Sequence, residues 1–130
     1  MVFHKHIMVI AKVRNPIRTE EEGIAFLTDL VSKVDMKIIK GPFASYVDKV
    51  GNRGLTAMVM IETSHSAFHI WDEQDPALLQ FDLYTCGQLD TDTVLKALHD
   101  RFEIIEMDWK VYDRAVAFLM LDKGSTRHPQ

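Results

Sequence analysis

The chain has 130 residues, enough for one domain with an ordinary core and no need of covalent staples. At 47% hydrophobic and 26% charged it reads as globular, neither disordered nor fibrous. A net charge of −4 with scattered basic residues argues against a nucleic acid or an anionic membrane as the main partner.

From Phe3 to Val13, Ile7, Val9, Ala11 and Val13 recur at every second position, the period of a strand. His4, Lys5 and His6 before it, with Lys12 and Arg14 after it, leave no room for a signal-peptide core or a membrane span. Asn15-Pro16 ends the strand. Thr19 with Glu22 three residues on is a capping box, and the acids at 20–22 suit a helix N-terminus. Ile24, Leu27, Leu30, Val31 and Val34 continue the helix over residues 19–34.

Residues 36–48 return to strand character, bent at Gly41-Pro42, and "KVGNRG" turns the chain. Leu55, Ala57, Val59 and Ile61 mark the next strand, and residues 66–71 a short one after it. "DEQDPA" is a loop, and Leu79, Phe81 and Leu83 begin a strand that ends at Cys86-Gly87. Asp90 caps a second helix with Val94, Leu95, Leu98 and Phe102 inward. Ile105, Met107, Trp109 and Val111 form a strand, residues 115–121 a further one, and the tail "DKGSTRHPQ" reads as frayed. The order β-α-β-β-β-β-α-β predicts an α+β fold: a two-layer sandwich, a mostly antiparallel sheet with two helices on one face. Residues 1–130 make a single domain.

The polar residues at the strand ends carry the chemistry. His65 and His69, joined by His4 and His6, are the residue type for zinc, but the i, i+4 pair sits on a strand, where it stands roughly 13 Å apart. No CxxC, HExxH or carboxylate cluster supports a metal, so none is expected. Cys86 alone is most simply a small buried apolar residue, and it leaves no internal disulfide, which points to a reducing, cytoplasmic setting. Ser64 alone is a strand-terminal serine. A Ser64/His69/Asp82 hydrolase lacks the GxSxG elbow and a glycine-rich oxyanion loop.

The stretch "GLTAMVMIETSHSAFHIWDE", residues 54–73, followed by "FDLYTCG", resembles the signature of the small bacterial and archaeal S-adenosylmethionine decarboxylases. Gly54, Thr56, Ser64, His65, His69, Trp71, Glu73, Cys86 and Gly87 match the family pattern in order, and "KHIMV" resembles its first strand. Thr63 departs from it, standing where the family has glutamate, with Glu62 one place earlier. Ala57, Ala67, Ile70 and Asp72 depart as well.

The resemblance implies an enzyme that makes its cofactor from its own backbone. Ser64 would attack the Thr63 carbonyl, His69 would serve as base in the processing and Thr56 would support it. Cleavage between Thr63 and Ser64 would give a β chain 1–63 and an α chain 64–130 whose first residue becomes a pyruvoyl group. That group forms a Schiff base with the substrate amine and takes up the electrons released with carbon dioxide, as pyridoxal phosphate would. Cys86 would be the proton donor. Glu73 would bind the substrate ribose from the neighbouring protomer of a homodimer, with His65, Phe68 and Trp71 also on the substrate side. Tyr46 or Phe43 would stack on adenine. The alternatives are the same chemistry on arginine or ornithine, and an unprocessed homologue that acts as a regulatory subunit.

Overall fold

The computed structural model describes residues 4–128, so Phe3 of the expected first strand and residues 129–130 of the expected tail lie outside it. The elements run β1 (Lys5–Val13), α1 (Glu20–Lys33), β2 (Ile38–Val47), β3 (Gly54–Ile61), β4 (Ser64–Trp71), β5 (Ala77–Thr85), α2 (Thr91–Arg101), β6 (Ile104–Asp113) and β7 (Leu119–Arg127). All seven strands form one antiparallel sheet in the order β2-β3-β4-β5-β1-β6-β7. The α+β sandwich read from the sequence is the observed architecture.

Both helices begin where their caps predict. Thr19 Oγ1 accepts the Glu22 N–H and donates to the Glu22 carboxylate, and Asp90 accepts the N–H groups of Asp92 and Thr93. One face of the sheet buries Ile7, Val9, Ala11 and Val13 of β1, Leu55 and Ala57 of β3 and Phe68 of β4 under Leu27, Leu30, Val94 and Leu98. Phe26 of α1 ties the layers together, edge-on to Phe68 at 5.7 Å and to Phe102 at 5.5 Å.

The other face carries no helix. Alternation turns Met8, Ile10, Met58 and Met60 to it, each 43–50% exposed, with Phe43 beside them. So many large apolar side chains on one bare face mark an interaction surface rather than ordinary scatter. Among the described residues no helix is long and apolar enough to cross a membrane.

The tail corrects the reading of a frayed end. The last strand is not 115–121 but Leu119–Arg127, because Val116–Leu119 is a tight turn, closed by the Leu119 N–H on the Val116 carbonyl, with Ala117 and Phe118 at φ of 48° and 55°. Ladder pairing along β6 holds this polar segment, and Arg127 forks onto both Asp108 oxygens at 3.0 and 2.9 Å.

Candidate active site

The turn between β3 and β4 consists of Glu62 and Thr63 alone, since Ile61 pairs directly with Ser64. No glycine relaxes it, and Ser64 takes φ = 151°, a region that L-residues rarely adopt, at a cost of about 1–3 kcal/mol. The Thr63 carbonyl on the other side of this peptide bond accepts the Cys86 N–H at 2.8 Å. Thr63 itself is fixed by its hydroxyl, which donates to Met36 Sδ at 3.8 Å. The Thr63–Ser64 bond is thus strained on one side and polarised on the other. Cys86 is half-buried.

At the far end of β4 a second group gathers. Thr56 and His69 are cross-strand partners, and Thr56 Oγ1 lies 3.0 Å from His69 Nδ1. His69 stacks on Trp71 at 6.0 Å, and the Trp71 indole N–H donates to Asn52. Glu73 follows, its carboxylate accepting the Arg53 N–H at 3.0 Å. The Arg53 and Gly51 N–H groups hold this carboxyl below its ordinary range.

These two groups do not meet within one chain. His69 lies five positions along β4 from Ser64, which in an extended strand is roughly 16 Å. His65 belongs to the Ser64 end, on the open face, where its ring is 5.7 Å from that of Tyr84.

Two expected substrate contacts lie elsewhere. Phe68 is fully buried among the helices, and Tyr46 alternates onto the same helix-covered face. The Tyr46 hydroxyl donates to Asp72, whose carboxylate also meets Arg18 at 3.3 Å. Burial, and then the hydrogen bond to Asp72, raise the Tyr46 hydroxyl above its usual pKa. Phe43 is exposed, with its neighbours on the open face.

His4 and His6, the other two histidines weighed as zinc ligands, have partners of their own. His6 Nε2 is 2.7 Å from Asp82, and His4 Nδ1 is 2.8 Å from the Tyr84 hydroxyl, under which ring face Arg114 packs at 3.9 Å. Asp82 therefore pairs with His6 and not with His69. Among the described residues no three His, Cys, Asp or Glu side chains are arranged to hold a metal. Sequence reasoning missed His6–Asp82, His4–Tyr84 and Thr85, and only the last left a signal: a hydroxyl on the otherwise apolar buried phase of β5.

The residues of the 54–87 pattern lie along this geometry. A relative from Archaeoglobus fulgidus, an S-adenosylmethionine decarboxylase proenzyme, is 27% identical over 99 residues, 75% of this chain and 81% of its own length. The family model of S-adenosylmethionine decarboxylase matches residues 7–115, which takes in both ends of the site and, apart from Lys5 and His6, every element before β7. The chain belongs to the S-adenosylmethionine decarboxylase family.

Proposed function

We propose that this chain is a self-cleaving, pyruvoyl-dependent decarboxylase of S-adenosylmethionine that acts in the cytoplasm as a homodimer and supplies the aminopropyl donor for spermidine. The observation that carries the reading is the Thr63–Ser64 bond, strained at Ser64 and with its carbonyl on the Cys86 N–H at 2.8 Å. A serine positioned there fits the precursor of a pyruvoyl group, and the word proenzyme in the relative's name supports the same idea.

Ser64 Oγ attacks the Thr63 carbonyl carbon while the Cys86 N–H bears the developing oxyanion. The C–N bond breaks as the hydroxyl proton passes to the freed nitrogen, leaving an ester. A base then removes the Ser64 α-proton and the Thr63 carboxylate departs. Water replaces the nitrogen, and ammonia is lost. The pyruvoyl group so formed supplies an electron sink for the carbanion of decarboxylation.

His69, held by Thr56, is the base, and since roughly 16 Å of strand separates it from its own Ser64, it serves the partner's. Two open faces packed about a two-fold axis bring the Thr56–His69–Trp71–Glu73 end of one protomer over the Ser64–Cys86 end of the other. The apolar side chains of that face support such a contact. Glu73, kept ionised, accepts the ribose hydroxyls, and Cys86 gives the proton that replaces carbon dioxide. Carbon dioxide release from carboxyl-labelled S-adenosylmethionine, arginine and ornithine tests the assignment. Release from S-adenosylmethionine alone is expected, and release from one of the others alone would overturn it.

A further inference from the structure

β5 buries Ala77, Leu79, Phe81 and Leu83 in turn and then, at the same phase, a hydroxyl: Thr85, 0% exposed. Two other buried polar residues have plain structural partners, Ser66 on the Asp82 carbonyl and Asp72 between Tyr46 and Arg18. Thr85 does not. Its Oγ1 accepts the Gly87 N–H at 3.0 Å, and its own O–H has no acceptor among the described residues. Thr85 is the direct cross-strand partner of Ser64, whose hydroxyl likewise has no hydrogen bond there. Directly opposed residues of an antiparallel pair hold their Cβ atoms about 4.5–5.5 Å apart, within reach for two hydroxyls.

We propose that Thr85 is a positioning residue for cleavage of the Thr63–Ser64 bond, an inference that rests on the self-cleaving reading above. Its Oγ1, oriented by the Gly87 N–H, receives the Ser64 O–H and thereby turns an Oγ lone pair toward the Thr63 carbonyl carbon. The acyl shift that follows is an isomerisation. The Oγ–C bond forms, the C–N bond breaks, and the hydroxyl proton ends on the Ser64 nitrogen, with no co-reactant. Three consecutive residues then divide the work. Thr85 sets the nucleophile and the Cys86 N–H holds the oxyanion. Gly87, through its N–H, holds the Thr85 hydroxyl in place.

The test follows freshly synthesised chain by intact mass, with hydroxylamine added at intervals to cut any ester. Thr85→Val keeps the shape and removes the hydroxyl, while Thr85→Ser keeps the hydroxyl. Fragment formation is expected to slow roughly tenfold to a hundredfold in the valine variant and to return to within about threefold of wild type in the serine variant. The hydroxylamine-labile fraction should fall in the valine variant, since the shift itself is impaired. The same substitution placed on Ser64→Ala reports folding through its thermal midpoint. If the valine variant does not fold, Thr85→Ser against Thr85→Ala isolates the hydroxyl instead. Wild-type cleavage with an unaltered rate in Thr85→Val, or a serine variant as slow as valine, overturns the role of Thr85 alone. A wild-type chain that never cleaves overturns the self-cleaving reading and this role with it.

Discussion

Half-buried Thr63 turns its methyl toward Gly87 and gives its hydroxyl to the Met36 sulfur, so packing rather than charge holds the residue before Ser64. A carboxylate in its place would have brought a charge to the carbonyl that the proposed cleavage attacks. Here the Cys86 N–H polarises that carbonyl alone. Charge enters at the other end, on Glu73. The Arg53 and Gly51 N–H groups favour its ionised form, so its pKa in the folded chain lies below that in the unfolded one. Ionised Glu73 therefore adds to stability above the ordinary glutamate range, and that contribution is lost as pH falls through the lowered value. Binding of S-adenosylmethionine to a Ser64→Ala chain, measured by calorimetry, should weaken about tenfold or more in a Glu73→Gln variant, the worth of hydrogen bonds to a charged group. The ratio of the two affinities should hold steady as pH falls through the usual glutamate range and shrink only below it. A ratio that collapses within that range would contradict the assignment.

The β3–β4 hairpin is the element on which the account turns. Gly54 lets β3 enter it, since a Cβ there would lie 1.7 Å from the Ile70 carbonyl oxygen. Behind the hairpin, Phe68 and Tyr46 belong to the core side, and their substitution should act on stability. Phe68→Ala should cost about 3–5 kcal/mol in denaturant unfolding, the usual loss for a buried phenylalanine. Tyr46→Phe should cost about 1–3 kcal/mol by leaving the buried Asp72 with Arg18 alone, yet leave cleavage at its wild-type rate. Lost substrate affinity at unchanged stability would reverse that placement. Strand periodicity and helix caps made β1 to β6 and both helices legible, because burial on one face writes itself as alternation. The same periodicity already set Phe68 in the phase of Ile70 and Tyr46 in that of Ala44, against the substrate side suggested by the family pattern. β7 was not legible. Its polar run "DKGSTR" acquires strand form only from the β6 ladder and the Arg127–Asp108 fork, neither of which has a local signature. The strain at Ser64 was hidden too, for φ follows from a two-residue turn that the sequence does not announce.

At the scale of the whole molecule, cleavage after Thr63 would cut a chain whose pieces interlock. β1 of the β chain lies between β5 and β6 of the α chain, and β3 pairs with β4. The two fragments should therefore stay together through gel filtration and separate only in denaturant. The distance from His69 to Ser64 makes a sharper demand, that each protomer complete the other. Mixed in refolding, a Ser64→Ala chain and a His69→Ala chain should together yield cut α chain from the latter, though neither cleaves alone. Failure of every mixture would exclude action across the interface. Whether the Thr63–Ser64 bond breaks itself is read from intact mass spectrometry of freshly purified protein beside Ser64→Ala. Two species are expected, residues 1–63 and residues 64–130 with a pyruvoyl cap, and a single intact chain for the variant. One uncleaved mass for the wild type after prolonged incubation would contradict self-cleavage.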